Sequence, residues 1–136
     1  MLSHGFLDLC RSVSTLTGLA GADTFRFALA DSRLAAYDRI TNFTIGTDIL
    51  DGPSVVTAAN LIELGSVSAL TQTAIAAVLT STNFARNSAA TFSFGGGPTA
   101  RTFLAFNDGT AGFTSTSDGL IEISGYSGLL TNLAIT

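Results

Sequence analysis

Residues 18–26 read Gly-Leu-Ala-Gly-Ala-Asp-Thr-Phe-Arg, and the expected fold follows first from these nine residues. Glycine adopts the positive φ angles of tight turns, and an Asp side chain favours turns because it bonds to nearby backbone amides. Phe25 and Phe27 then share one face of an extended segment while Arg26 takes the other, as the two-residue period of a strand requires. The stretch therefore predicts a turn that leads into a strand over residues 24–29.

Other short segments with apolar and polar residues in alternation lie on both sides of a middle region. They occupy residues 38–45, 48–51, 91–94, 102–106, 119–124 and 133–135. Turn residues such as those of Asn107-Asp108-Gly109 separate them. Short strands joined by turns usually pair in antiparallel fashion, so we expect antiparallel pairing. On the strand over 119–124, we expect Glu122 to lie on the face exposed to solvent.

The middle region has the pattern of helices. Thr57 is the expected N-cap of a helix over 58–64, and Ser68 that of a second helix over 69–80. The second helix places apolar residues on one stripe. They are Leu70, Ala74, Ile75, Val78 and Leu79. The sequence thus predicts a mainly β fold of the β-roll or β-sandwich kind, with one or two α-helices inserted near 58–80.

Composition limits the classes of protein to consider. The chain has 136 residues, of which 46% are apolar and only 12% charged, and this predicts one folded domain. We divide it into a weakly patterned segment, 1–17, and a single β domain, 18–136. A net charge of −4 without an arginine cluster argues against nucleic-acid binding. The longest apolar run, 74–79, is too short to insert into a membrane.

The sequence lacks the usual means of catalysis. His4 is the only histidine, so neither a serine or cysteine triad nor a two-histidine zinc site can be assembled convincingly. Cys10 is the only cysteine and cannot form an internal disulfide. We therefore expect a protein that is not an enzyme.

Five oxygen-bearing side chains lie within or after the opening stretch. They are Asp23, Asp38, Asn42, Asp48 and Asp51. Carboxylate and amide oxygens are the ligands that calcium prefers, so we predict that these residues bind calcium. The alternative is that Asp and Asn occur here because they favour turns. For Asp108 and Asp118, which we expect to face each other across a loop, the turn interpretation is favoured.

The stretch 18–26 resembles the calcium-binding nonapeptide of repeats-in-toxin (RTX) proteins, Gly-Gly-x-Gly-x-Asp-x-U-x, in which U is a large apolar residue. The matching residues are Gly18, Gly21, Asp23 and Phe25. Leu19 replaces the second glycine. Residues 9–17 resemble the repeat less, with Leu16 at the apolar position and Ser14 in place of the Asp. Residues 38–51 are similar to the stretch that follows the last repeats in RTX proteins.

The C-terminal part resembles the bluetail domain, which ends surface proteins of cyanobacteria. Residues 102–113 read Thr-Phe-Leu-Ala-Phe-Asn-Asp-Gly-Thr-Ala-Gly-Phe, and residues 117–128 read Ser-Asp-Gly-Leu-Ile-Glu-Ile-Ser-Gly-Tyr-Ser-Gly. The whole resemblance runs from about residue 18 to the end. It implies an extracellular or cell-surface protein that is exported without an N-terminal signal peptide.

Two functions remain open. The resemblance implies a C-terminal module that caps an RTX-like calcium-binding array and addresses the protein to type I secretion, with the array and the secretion apparatus as partners. An open β edge near residues 16–27 also allows a homo-oligomer. The alternative is an extracellular module that binds carbohydrate or protein through the loops 95–98 and 110–118, without calcium-dependent folding.

Overall fold

The computed structural model describes residues 6–8 and 14–136. Most of the regular secondary structure in these residues is β-strand. The strands are β1 (Phe6–Asp8), β2 (Thr15–Thr17), β3 (Thr24–Arg26), β4 (Asp38–Thr41), β5 (Ile49–Asp51), β6 (Ile62–Val67), β7 (Ala89–Phe94), β8 (Arg101–Phe106) and β9 (Gly119–Glu122). One α-helix, α1, spans Gln72–Val78. Single 3-10 turns lie at Gly97–Thr99 and Leu130–Asn132. His4 and Cys10 lie outside the described residues.

The first half of the chain winds as a parallel roll. Strands β1, β2 and β3 begin nine residues apart, at residues 6, 15 and 24. Successive strands alternate between two sheets: β1, β3 and β5 form one, and β2 and β4 belong to the other. Within each sheet these strands pair in parallel, because each turn of the roll brings the chain back in the same direction. The glycine-rich turn before β3 is where the roll begins its second turn.

The second half extends one of these sheets. Strand β9 pairs in parallel with β4, and the six-stranded sheet has the order β2-β4-β9-β8-β7-β6. The mainly β, roll-like class is confirmed. The expectation of antiparallel pairing was wrong for most of the described strands, because only β7–β8 and β8–β9 are antiparallel. The local alternation that predicts a strand carries no information about the direction of its neighbour.

The prediction of a helix over 58–64 was wrong, since residues 62–67 form β6, which pairs in parallel with β7. Only one helical turn remains there, closed by the hydrogen bond from the Leu61 amide to the Thr57 carbonyl (3.0 Å). The second helix is confirmed in a shorter form. It begins at Gln72, because the Oγ1 of Thr71, not of Ser68, accepts from the Ala74 amide at 3.2 Å.

Two apolar cores lie on opposite faces of the six-stranded sheet. The inter-sheet core fills the space between both sheets, with Phe25 and Leu50 on one side and Ile40 and Ile121 on the other, all fully buried. The helix-side core packs α1 against strands β7 to β9. Its largest buried members are Ile75, Leu79, Phe84, Phe92, Phe103 and Leu120. Strand β9 lies between the two cores and is therefore buried on both of its faces.

The two ends of the roll differ. At one end β9 covers the outer edge of β4, and Ile135, next to the last residue, forms bridges with both Leu50 of β5 and Val56. The expected strand over 133–135 is thus reduced to these bridges. At the other end β1 and β2 each have one neighbour within the described part of the chain. Among the described residues, no helix has the length and apolar character needed to cross a membrane.

Candidate functional site

Carboxylates mark the starts of the parallel strands. Asp23 comes directly before β3, Asp38 is the first residue of β4, and Asp48 and Asp118 come directly before β5 and β9. Asp23, Asp38 and Asp118 are fully buried. A buried carboxylate must find hydrogen-bond donors or a cation to offset its lost hydration. The hydrogen-bond partners of these four carboxylates therefore show which of them has oxygens left to bind a cation.

Two of the carboxylates connect one turn of the roll to the preceding turn. Asp38 Oδ1 accepts from the amide of Ser14 at 2.7 Å, and Asp48 Oδ1 accepts from the amide of Asp23 at 3.1 Å. These partners lie 24 and 25 residues apart in sequence, which is one turn of the roll. Asp48 Oδ2 also accepts from the Thr44 amide at 2.8 Å. Both predicted calcium ligands thus act as acceptors for main-chain amides.

Asp118 performs the same task in the loop between β8 and β9. Its Oδ1 accepts from the Asp108 amide at 2.9 Å, and its Oδ2 accepts from the Thr114 amide at 2.7 Å. The expectation that Asp108 and Asp118 face each other across the loop is confirmed. Gln72 of α1 holds the same loop from outside, by accepting from the Ser115 amide and donating to the Phe113 carbonyl. The loop over 110–118 is therefore fastened at both flanks.

Burial changes the proton affinity of two of these groups. It raises the pKa of Asp118 from 3.8 to about 6, although the amides of Thr114 and Asp108 act in the opposite direction. It also raises the pKa of Asp38 to about 6, against the amide of Ser14, and the nearby charge of Asp31 adds to the rise. Asp38 Oδ2 has no hydrogen-bond partner among the described residues. Both carboxyls therefore titrate close to neutral pH.

Asp23 differs from the others because neither of its carboxylate oxygens has a hydrogen-bond partner in the described part of the chain. Gly18 lies against it: a Cβ at that position would be 2.6 Å from Asp23 Oδ2, so only glycine leaves the space open. Asn42 donates from Nδ2 to the Gly18 carbonyl at 2.7 Å, and Asp48 contacts the Asp23 amide. Asp23, Asn42 and Asp48 thus surround one turn.

The five predicted ligands do not form one cluster. Asp51 instead accepts from Arg26 Nε at 2.6 Å on the exposed side of β5. Asp38 binds the Ser14 amide at the start of β4. Within residues 6–8 and 14–136, no three His, Cys, Asp or Glu residues are grouped closely enough to hold a metal ion. What the structure brings together is one acidic side chain with open oxygens, Asp23, flanked by Asn42 and Asp48.

A second polar cluster, which the sequence analysis missed, is centred on Glu122. The expectation that this side chain is exposed was wrong: Glu122 is 3% exposed. Arg101 donates to both of its oxygens, from Nε at 3.0 Å and from Nη2 at 2.8 Å. Ser124 Oγ donates to Oε2 at 2.7 Å, and Arg101 Nη2 also donates to the hydroxyl of Tyr37 at 2.7 Å. The four residues form a connected network at the surface of the six-stranded sheet.

The network fixes the charges of its members. Burial by itself pulls the pKa of Glu122 upward, but the hydrogen bonds from Arg101 and Ser124 outweigh it and hold that pKa below its ordinary value. The hydrogen bonds to Glu122 likewise raise the pKa of the Arg101 guanidinium. The register of β8 and β9 brings the network together, since Phe103 faces Glu122 and Arg101 lies two residues before Phe103 on the same face. No pattern along the chain reveals this register.

Comparison with known proteins gives no relative: the chain matches no family model, no curated protein and no solved structure. The resemblances to RTX repeats and to the bluetail domain therefore stay predictions.

Proposed function

We propose that this domain is a non-enzymatic cap for one end of a parallel β-roll in an exported protein. The observation that carries the proposal is the difference between the two ends of the roll. Strand β9 and the C-terminal residues cover one end, whereas β1 and β2 each have a single neighbour within the described residues. A repeat array needs such an atypical end unit, because otherwise its last turn exposes apolar side chains and unpaired backbone groups.

The covered end is built from residues distant in sequence. The Gly52 amide donates to the Thr136 carbonyl at 3.0 Å, and the Thr136 amide donates to the Leu50 carbonyl at 2.9 Å. The Ile135 side chain fits directly over Gly52, where a Cβ would lie 2.6 Å from its Cγ2. These contacts use the backbone edge of β5 that a further parallel strand would otherwise occupy. The roll is thus blocked from growing at this end.

At the open end, an incoming turn would have the edges of β1 and β2 available. Residues on a strand alternate the direction of their backbone groups, so the edge of β2 that faces away from β4 presents its own N–H and C=O groups. The edge is short, at three residues, which limits accidental pairing. We propose that the natural occupant is a further turn of the same roll on the N-terminal side.

The cap proposal is tested by fusing an array of glycine-rich nonapeptide repeats to the full chain. We expect the array to fold at a lower calcium concentration when it precedes the chain than when it stands alone, because its last turn then has a strand to pair with. The measurement is a calcium titration followed by far-ultraviolet circular dichroism.

The matched control carries the same array after residue 136, next to the covered end. This fusion has the same composition but places the array where β9 and the C-terminal residues already occupy the strand edges. We expect its calcium midpoint to equal that of the array alone. Equal midpoints for the two fusions would contradict the cap proposal.

We further propose that calcium, where it binds, binds at Asp23. The support is a fully buried carboxylate whose two oxygens lack donors among the described residues, beside a glycine where a Cβ would press against the carboxylate. The side chains of Asn42 and Asp48, which also carry oxygen atoms, contact the same turn. Calcium bound only to the folded chain would stabilise it by mass action, by about 2.7 kcal/mol at a hundredfold excess over the dissociation constant.

The calcium proposal is tested by thermal unfolding in EDTA and in millimolar calcium. For the natural chain we expect a higher midpoint in calcium. For Asp23→Asn we expect no calcium shift and, in EDTA, a higher midpoint than for the natural chain, because a buried unpaired charge has been removed. Asp51→Asn is the control, since it also removes one carboxylate and should keep the calcium shift. If the natural chain has the same unfolding midpoint in calcium as in EDTA, the calcium proposal is refuted.

The proposed location is outside the cell, reached through a C-terminal address for type I secretion. Its support is the sequence resemblance described above. The test places the full chain after a passenger protein in a host with a type I apparatus. We expect the passenger in the medium, and we expect it to stay inside when the full chain precedes it. Retention of both fusions would contradict the export proposal while leaving the cap proposal intact.

A further inference from the structure

A cavity of about 320 Å³ lies over the face of the six-stranded sheet that carries Glu122. Its size is within the range of small-molecule sites. Strands β2, β4, β8 and β9 form its floor, and the turn that precedes Tyr37 forms one wall. The residues that matter for its chemistry are Thr15, Tyr37, Arg39, Arg101 and Glu122. We name this cavity the arginine groove.

The register of the sheet explains why these side chains meet. Thr15 of β2 faces Arg39 of β4, and Arg39 faces Glu122 of β9. Residues that face each other across neighbouring strands point to the same side of a sheet. Arg101 reaches this side from β8, because it lies two residues before Phe103, the partner of Glu122. The groove is therefore a product of strand pairing, because hydrogen-bonded strands of the six-stranded sheet hold these residues in place.

The groove carries a surplus of hydrogen-bond donors. Arg101 uses Nε and Nη2 for Glu122 and Tyr37, and no described residue accepts from its Nη1. Tyr37 accepts from Arg101, so its own hydroxyl hydrogen is still available. Arg39 is exposed, and neither ion pair of the described residues includes it. All three groups line the same cavity, and the described residues offer no further acceptor for these donors.

The charges of the groove are unlike those of the rest of the molecule. Among the described residues that line it, Glu122 is the only carboxylate, and both Glu122 oxygens already accept hydrogen bonds from Arg101 and Ser124. One positive charge, that of Arg39, therefore remains unbalanced in a chain with a net charge of −4. A single surplus charge fits a monoanion better than a dianion. Guanidinium groups and hydroxyl donors together are suited to the two oxygens of a carboxylate.

We propose that the arginine groove binds a small molecule through one carboxylate group. Arg101 is held rigidly by Glu122 and by contact with the Phe103 ring, whose centroid is 5.1 Å from the guanidinium carbon. It therefore loses little side-chain freedom on binding, which favours affinity. Arg39 supplies the unbalanced charge and Tyr37 a hydroxyl donor. The proposal does not rest on the cap function, because the three groups that would bind the carboxylate are side chains of Tyr37, Arg39 and Arg101 and not backbone groups of the open edges of β1 and β2.

The test is titration of the full chain, observed by NMR and calorimetry, with carboxylates and their neutral counterparts. Glucuronate is compared with glucose, and N-acetylglycine with its amide. We expect the backbone signals of Tyr37, Arg39 and Arg101 to shift with at least one carboxylate and with neither neutral compound. Preference for glucuronate identifies a sugar acid as the source of the carboxylate, and preference for N-acetylglycine identifies a peptide end. Both results support the proposal.

The decisive variant is Arg39→Gln, which alters an exposed side chain. We expect it to weaken carboxylate binding about tenfold, or by about 1.4 kcal/mol, because it removes a charged hydrogen-bond donor. Arg86→Gln is the matched control: Arg86 is also exposed, does not line the groove, and loses the same charge. Equal weakening in both variants, equal binding of neutral compounds, tighter binding of inorganic phosphate, or no binding at all would overturn the proposal.

Discussion

At the scale of single residues, the acidic side chains of this chain serve mainly as acceptors for backbone amides. Asp38, Asp48 and Asp118 each receive at least one main-chain N–H, and for Asp38 and Asp48 one donor lies a full turn of the roll away. A carboxylate accepts such bonds more strongly than a neutral oxygen does. The same residues that suggest calcium in sequence thus set the spacing of successive turns in the structure.

Removing Asp118 tests this role. Asp118→Ala leaves the partly buried amides of Asp108 and Thr114 without their acceptors, and each such loss costs about 1–3 kcal/mol where water is excluded. We expect the free energy of unfolding, measured by urea denaturation, to fall by about 3 kcal/mol. Asp31→Ala is the control, because Asp31 accepts only one solvent-exposed amide, that of Ala28. A loss no larger than that of the control would show that Asp118 does not fasten the loop.

The raised pKa values of Asp38 and Asp118 predict a pH dependence of stability. In the folded chain both have a pKa of about 6, against 3.8 ordinarily, so between these values folding takes up protons. The free energy of unfolding therefore rises as pH falls from 7 toward 4, by up to about 3 kcal/mol for each carboxyl. Glu122 acts in the opposite direction, because its pKa is lowered in the folded chain, but its contribution is lost only as pH falls through and below its ordinary value of 4.5.

Thermal unfolding at several pH values checks this prediction. We expect the midpoint to be higher at pH 5 than at pH 7.5, and the difference to shrink in Asp38→Asn, which cannot titrate. Glu63→Gln, which also removes one carboxylate but from the exposed edge strand β6, is the control and should keep the full difference between the two midpoints. A midpoint that is flat or falls toward pH 5 would contradict the raised pKa values.

At the scale of elements, the turn after β9 is fixed by its contact with the roll. Ser127 pairs with Thr44, and its amide donates to the Phe43 carbonyl at 2.9 Å. Gly128 has a φ of +98°, and a Cβ there would be 2.9 Å from the Ile45 Cβ. Glycine at this position therefore satisfies both the backbone conformation and the close approach of Ile45.

Two glycine substitutions separate these requirements. Gly125 also has a positive φ, +84°, but a Cβ there would meet nothing within 4 Å. We expect Gly125→Ala to cost about 1 kcal/mol for backbone strain alone. Gly128→Ala should cost about 1–3 kcal/mol more, because Ile45 must move as well. Chemical denaturation of both variants gives the comparison, and equal losses would mean that the contact with Ile45 is unimportant.

At the scale of the whole molecule, the C-terminal residues join parts of the chain that are far apart in sequence. Ile135 is 1% exposed and bridges Leu50 and Val56, about eighty residues earlier. Contacts of this kind are formed late or slowly, because a long loop must close first. The covered end of the roll therefore depends on the last residues of the sequence.

Shortening this side chain tests the dependence. Ile135→Ala should lower the free energy of unfolding by about 2–5 kcal/mol, as for other large-to-small changes in a core. Leu129→Ala, at a position that is 66% exposed, should change it by less than about 0.5 kcal/mol. Hydrogen exchange of the Gly52 and Val56 amides, which donate to Thr136 and Ile135, reports the local effect. Unchanged exchange in Ile135→Ala would indicate that the backbone bridges hold without the side chain.

Sequence alone determined where most strands and turns lie. Alternation around Phe25, Ile40 and Phe92 and the turn residues between such runs are local signals, and the structure has strands at each of these places. The local signal failed at 58–64. The apolar spacing there is compatible with a helix, but residues from 62 onward form strand β6. Pairing with β7 decided the conformation there, because a strand gains its hydrogen bonds from a neighbour that the local pattern does not reveal.

Only the tertiary structure decided which of the acidic residues share a turn and which do not. Asp23, Asn42 and Asp48 meet because the roll places residues about 25 positions apart in register, whereas Asp51 is drawn to Arg26 on the surface. Glu122 and Tyr37 reach Arg101 across 21 and 64 residues. Contacts between residues so distant depend on strand order and direction, and a pattern read along the chain contains neither.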